Sequence, residues 1–229
     1  MTYSWFLFDA DGTLFDYDRA EAAALQQAFA QIGQPYDRSY IEVYRQINAR
    51  IWRDLEQGRI SQERLRTRRF EQLSDALQIA LDPQVFSKVY LQQLAMRSDL
   101  MAGAQEAVSA LYGRVRMVIA TNGLADVQRP RFFGSRIHPF FEDIVISEEI
   151  GAAKPDAAFF DAAFARMGGP PRTDVLIVGD SLTSDMGGGA AYGIGTCWFN
   201  PNRLPRDPAF LVQYEIARLD ELPGIVGLD

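Results

Sequence analysis

Asp9-Ala10-Asp11-Gly12-Thr13-Leu14 is where this chain concentrates its chemistry. The two carboxylates stand one residue apart, directly after the apolar run Trp5-Phe6-Leu7-Phe8. In an extended chain, residues i and i+2 point to one face, so Asp9 and Asp11 can aim at one spot beyond a strand end. Gly12 lets the backbone turn sharply there, and the amides of such a turn become available to an anion. Two adjacent carboxylates repel unless a cation, a shared proton or a reacting group compensates. That arrangement suits a metal-assisted reaction in which one aspartate attacks and the other moves a proton.

Further polar residues stand at the ends of apolar runs. Val115 to Ala120 leads into Thr121-Asn122-Gly123, and Val175 to Val178 leads into Gly179-Asp180-Ser181, with Asp185 following. Lys154-Pro155-Asp156 lies between them, with Pro155 expected as the first residue of a helix. Singly these are bland: Thr-Asn is an ordinary turn, and a lysine is ordinarily a solvated surface group. Gly187-Gly188-Gly189 completes neither a dinucleotide fingerprint nor a Walker loop, and close packing at a helix start explains it better. Ser181 has no histidine near it in sequence, so a serine triad has no support.

The elements that must position these residues fall into two textures. Roughly from Arg19 to Arg97 the chain reads as helices. Ile41, Tyr44, Ile47, Ile51 and Leu55 keep helical spacing up to Gly58. Ser61 is a candidate N-cap ahead of Leu65, Phe70, Leu73 and Leu77. Asp82-Pro83 marks another start before Val85, Val89 and Leu94. After Gly103 short apolar strands alternate with helices: strands at Val115 to Ala120, Ile144 to Ile146, Val175 to Val178 and Thr196 to Phe199, with a weak last one at Gln213 to Ile216. Helices are expected at Ala104 to Tyr112, Ala157 to Met167 and Asp185 to Tyr192. Unalternating strands separated by helices indicate a parallel sheet covered on both faces. The N-terminal strand has no partner nearby, so it joins that sheet and the helical stretch is an insertion. The expected fold is α/β, a Rossmann-like doubly wound parallel sheet over residues 1–16 and 98–229, with an α-helical cap over 17–97. In open sheets of this kind ligands bind beyond the carboxyl ends of the strands, where Asp9, Asp11, Thr121 and Asp180 all fall.

Composition narrows the partners. The 229 residues are 48% apolar and 23% charged, as in an ordinary globular protein large enough for a substantial core. A net charge of -7 argues against a nucleic-acid polymer, while a local metal and one lysine still allow a small phosphorylated ligand. Cys197 is the sole cysteine and reads as core filler in a reducing compartment. His138, the sole histidine, cannot build a multi-histidine zinc site and reads as structural or surface. The N-terminal apolar run is too short for a signal sequence and no stretch approaches a membrane span, so a cytoplasmic protein without an obligatory protein partner is expected.

Taken in order, Asp-x-Asp-Gly-Thr, Thr-Asn, Lys-Pro and Gly-Asp-Ser-x-x-x-Asp resemble the four motifs of the haloacid dehalogenase-like (HAD) superfamily, and the helical insertion resembles its mobile cap. Asn48-Ala49-Arg50-Ile51-Trp52, Val145-Ile146-Ser147-Glu148-Glu149-Ile150-Gly151 and Thr196-Cys197-Trp198-Phe199-Asn200 resemble its pyrimidine 5′-nucleotidase branch. The resemblance implies a phosphomonoesterase. Asp9 would attack phosphorus and form an aspartyl-phosphate. Asp11 would protonate the leaving oxygen and then deprotonate the hydrolytic water. Thr121, with the backbone around Ala10 and Asn122, would hold the phosphoryl oxygens, and Lys154 would stabilise charge on nucleophile and phosphate. Asp9, the Asp11 carbonyl and Asp180 would bind a metal, with Asp185 behind them or acting through water. All-oxygen ligands favour Mg²⁺, with Mn²⁺ tolerated. In the cap, Asn48 and Trp52 lie one turn apart and could face a nucleotide, Trp52 offering a ring for stacking, although packing within the cap is the better account of a tryptophan.

Other readings stay open on sequence. A dehalogenase of this fold needs neither Asp11 nor Asp180. A HAD phosphatase or mutase acting on a small sugar or glycolate phosphate would keep both. A non-catalytic phosphate-binding module would tolerate loss of Asp9, Asp11, Lys154 or Asp180, and all four are present.

Overall fold

The computed structural model describes residues 3–227. Six parallel strands form one sheet: β1 (Trp5–Phe8), β2 (Arg116–Thr121), β3 (Asp143–Ile146), β4 (Val175–Gly179), β5 (Gly195–Phe199) and β6 (Tyr214–Ile216). Their order is β3-β2-β1-β4-β5-β6, so the winding reverses between β1 and β4. Four helices, α1 (Tyr17–Gln31), α2 (Tyr40–Glu56), α3 (Gln62–Leu77) and α4 (Pro83–Ala95), precede α5 (Ala104–Leu111). The rest are α6 (Ala125–Phe133), α7 (Ser147–Ile150), α8 (Ala157–Met167), α9 (Gly188–Tyr192) and α10 (Leu222–Ile225).

The chain divides into two compact units, residues 1–17 with 98–229, and residues 18–97. In the first, strand side chains alternate between two buried layers. Phe6, Phe8, Ile119, Val178 and Phe199 pack with Ala107, Val108 and Leu111 of α5, while Trp5, Leu7, Val118, Ile177 and Trp198 pack with Phe159, Phe160 and Ala163 of α8. Burial on both faces is why the strands read as unbroken apolar runs. The chain leaves and re-enters this unit side by side: the N–H of Met101 donates to the carbonyl of Leu14, and that of Asp16 to Asp99.

In the second unit an aromatic cluster fills the space between helices. The rings of Phe29 and Phe86 lie 4.9 Å apart, Phe70 and Phe86 5.0 Å, and Phe70 and Tyr90 5.2 Å. Ser61 caps α3 by accepting from the N–H of Arg64, and Asp82 caps α4 by accepting from Gln84 and Val85. Leu94 of α4 is buried as expected, but the first two positions of the stripe sit one residue on from the sequence expectation. Val85 is 52% exposed, and Phe86 and Tyr90 take the inner positions because two aromatic rings one turn apart bury more surface than two valines.

Two more local expectations are corrected. Pro155 does not open a helix: it follows a cis peptide bond in a turn, and the next residue, Asp156, caps α8. An additional helix, α6, follows Thr121-Asn122-Gly123, with Pro130 inside it. The glycine run behaves as a packing device, since a Cβ on Gly188 would come within 2.9 Å of Phe160 and of Pro155. Cys197 is buried in the sheet, where burial pushes its thiol up. His138 packs edge-on between Phe132 and Phe133, a structural placement.

Candidate active site

Register places the polar residues together. Phe8 pairs with Ile119 of β2 and with Val178 of β4, so Asp9 comes level with Ala120 and Gly179 as the three strands end. Thr121 and Asp180 follow one residue later. This is the crevice at the switch of winding, where doubly wound sheets take ligands. The Asp9 N–H still donates to the Val178 carbonyl at 2.8 Å, which extends the ladder to Asp9 itself.

Lys154 organises the centre. Its side chain is 1% exposed, and its ammonium donates to Asp9 Oδ1 (2.7 Å), Asp185 Oδ1 (2.6 Å) and the Ala120 carbonyl (2.5 Å). Burial pulls this lysine down, but the two carboxylates outweigh burial and hold it above its ordinary range. Asn122 fixes the loop that delivers it. The Asn122 amide donates to the Lys154 carbonyl and accepts from the Lys154 N–H, both at 2.8 Å. Its side chain therefore serves the lysine loop. Thr121 is buried, and its hydroxyl oxygen accepts from the N–H of Gly123.

The carboxylates crowd. Asp9, Asp180 and Asp185 can each offer an oxygen, and these atoms lie within 4.8 Å of one another. Burial, opposed by Lys154 and reinforced by Asp185 and Asp180, pushes Asp9 well above the usual carboxylate range. Burial of its surroundings and the charge of Asp185 push the Asp180 carboxyl up to about 7, although the residue as a whole opens to solvent, which tempers the shift. Asp185 is fully buried and stands in the same group as Asp9 and Asp180. Its Oδ2 accepts from the N–H of Ser181 at 3.1 Å. The donor set is entirely hard oxygen with one counter-cation, which fits Mg²⁺.

Gly12 has φ +81°, and a Cβ there would sit 2.6 Å from Asp180 Oδ2. Both facts demand glycine. Its amide is not offered to an anion as the sequence suggested, because it donates to the Phe15 carbonyl within the turn. Ala10 is buried and its carbonyl accepts from Leu14 and Phe15.

Asp11 is held by residues that the sequence reading missed. Arg131 donates to Asp11 Oδ1 at 2.5 Å and Gln128 donates to Asp11 Oδ2 at 2.6 Å, both from α6. The signal available was the spacing of three between a glutamine and an arginine, but Pro130 between them hid the helix.

In the inserted unit, Asn48 is buried and its amide is engaged locally. It donates to Glu21 and accepts from Arg69, each at 3.2 Å. Trp52 is half-buried.

Residues 3–193 match the description of the haloacid dehalogenase-like hydrolases. Two pyrimidine 5′-nucleotidases are similar along nearly the whole chain. PynA of Streptococcus pneumoniae is 33% identical, over 97% of this chain and 94% of its own length, and YjjG of Escherichia coli is 31% identical, over 99% of both. The HAD-hydrolase YfnB of Bacillus subtilis is 34% identical over 99% of this chain and 97% of its own. Its crystal structure, bound to magnesium, superimposes with a TM-score of 0.94 and covers 99% of this chain and all of that one. The chain belongs to the haloacid dehalogenase-like hydrolase family. Among the described residues no helix is long and apolar enough to cross a membrane.

Proposed function

We propose that this hydrolase is a Mg²⁺-dependent phosphomonoesterase that works through an aspartyl-phosphate on Asp9, with pyrimidine nucleoside 5′-monophosphates as its substrates. The phosphatase reading rests on the nucleotidase relatives. The observation that carries the chemistry is the Lys154 ammonium held between Asp9 and Asp185, with Asp180 beside them, at the switch point of the sheet. A phosphoryl group carries negative charge toward a carboxylate nucleophile, so positioned positive charge is what the reaction needs.

Asp9 attacks phosphorus as the ester oxygen departs, and Asp11 gives that oxygen a proton. Asp11, now a carboxylate, takes a proton from water as the water oxygen bonds to phosphorus. The bond to Asp9 then breaks, and inorganic phosphate and a free Asp9 carboxylate remain. Lys154 offsets repulsion between Asp9 and the phosphoryl oxygens throughout, while Thr121 and the backbone at Ala10 and Asn122 hold those oxygens. Asp9, Asp180 and the Asp11 carbonyl would hold the divalent cation, Asp185 standing against them, and the cation supplies further positive charge to the phosphoryl group. Mn²⁺ should substitute on the same oxygen donors. The helical unit is assigned the role of the cap that the family resemblance implies. With the amide of Asn48 engaged by Glu21 and Arg69, Trp52 is the residue we assign to stacking on a pyrimidine ring.

The substrate branch follows PynA and YjjG, and the magnesium follows the YfnB structure. A panel of phosphate esters assayed with Mg²⁺ and with excess chelator tests both. Uracil and thymine nucleoside monophosphates should outrun purine nucleotides, hexose phosphates and glycolate phosphate, and chelator should abolish turnover. Preference for a hexose or glycolate phosphate would refute the nucleotidase assignment. Undiminished turnover in chelator would refute the metal.

A further inference from the structure

Helix α6 begins immediately beyond the Thr121-Asn122-Gly123 turn and brings two side chains back to Asp11. Gln128 is 1% exposed and meets one carboxylate oxygen, and Arg131 is 1% exposed and meets the other. The guanidinium lies 4.8 Å from the centre of the Phe15 ring, which fixes its plane. Gly123 makes room for the amide, since a Cβ there would collide with Gln128. The helix is itself fastened down. Glu148 accepts from the N–H of Ala125 at 2.7 Å, and Arg129 donates to Glu149 at 2.6 Å. Both acid partners lie on α7, so the cradle is tied to the end of β3.

We infer that Gln128 and Arg131 are positioning residues that aim the Asp11 carboxyl group for its proton transfer with water in breakdown of the phosphoenzyme. Two donors from one helix meet the two oxygens, one each, so the plane and direction of the Asp11 side chain are fixed. Asp11 leaves the first half-reaction in the ionised form, and the second half-reaction needs it there. A carboxylate has about four lone-pair sites. The cradle occupies two, and the Asp11 side chain is 26% exposed against 0% for Arg131, so an open side remains for water. The inference deepens the roles given above to Asp9 and Asp11 and rests on them.

The experiment uses the full chain with Mg²⁺ and nitrophenyl phosphate carrying a labelled phosphoryl group, quenched in acid at short times. Nitrophenolate leaves without a proton, so formation of the phosphoenzyme does not call on Asp11, whereas its decay does. Gln128→Leu and Arg131→Lys should each slow decay by about 10-fold or more, with formation within about 3-fold of wild type. The steady-state kcat and KM should then fall together. A merely structural role would slow both steps alike, and that result, or unchanged decay, overturns the inference. Gln128→Leu keeps the test decisive if buried Arg131→Lys fails to fold. A wild-type enzyme that forms no phosphoenzyme would instead refute the role of Asp9, and the positioning role would fall with it.

Discussion

Glu21 offers a stability prediction whose size follows from its surroundings. The side chain is 2% exposed on α1, with Oε2 accepting from Arg45 Nε at 3.1 Å and Oε1 from Asn48 at 3.2 Å. Burial raises its carboxyl from the ordinary 4.5 to about 7, against the pull of Arg45 and Arg69 and with help from Asp18. Between those two values the folded protein binds more protons than the unfolded chain. Stability therefore falls as pH rises through this window and levels off above about pH 7. At about 1.4 kcal/mol per unit the shift amounts to about 3 kcal/mol. Glu21→Gln keeps an acceptor for Asn48 and removes the charge, and Arg45, 34% exposed, stays solvated without its partner. The variant should gain about 3 kcal/mol relative to wild type between about pH 4.5 and pH 8. Urea unfolding of both proteins, followed by circular dichroism in chelator at fixed ionic strength, measures that difference. Taking the difference cancels every other titrating group, including the carboxylates beside Lys154. A difference that stays flat, or that shrinks with rising pH, would refute the assignment of Glu21 as a buried carboxyl held against its burial.

Asp11→Asn should slow phosphoenzyme formation from a nucleotide by about 10²–10⁴-fold more than from nitrophenyl phosphate, because only the alkoxide leaving group needs a proton. Single-turnover kinetics show this, and equal losses would move the acid elsewhere. Lys154→Met should abolish turnover at saturating Mg²⁺ and destabilise the protein by about 3–5 kcal/mol, since it strands two carboxylates that share one buried ammonium. Denaturant unfolding checks the second part, and a variant as stable as wild type would mean that the pair contributes little net energy.

The sheet was legible because its physics is repetitive. Strands buried on both faces leave runs such as Val175 to Val178, and the polar residue ending each run then falls at the carboxyl edge without further information. Helix α6 was not legible, because an interior proline ordinarily breaks a helix. Here Pro130 is exposed, and the carbonyl whose helical donor it removes belongs to Asp126, which is exposed as well. The bonds of Asn48 were hidden for another reason. A helical stripe shows which residues share a face, but Glu21 lies 27 residues away and Arg69 21, and nothing local announces that an amide will bridge them. Asp185 reads in sequence as standing behind the metal ligands. Its place in the group became visible only when Lys154, 31 residues earlier, was seen to tie it to Asp9.

Charge at the site is divided unevenly, and the division explains the chemistry. Lys154 serves Asp9 and Asp185, and Arg131 serves Asp11. Among the described residues no lysine or arginine pairs with Asp180, which stands next to Asp185 and opens to solvent. Burial first, and then the charge of Asp185, raise Asp180 to about 7, and Lys154 offsets only part of that rise. A divalent cation arriving from solvent would meet Asp180 and Asp9 together and offset the imbalance. Lys154 cannot do so, because its three donors are already engaged. Lys154 and Arg131 hold Asp9 and Asp11, proposed above as nucleophile and base, and the remaining negative charge is the part of the site that a metal ion would satisfy.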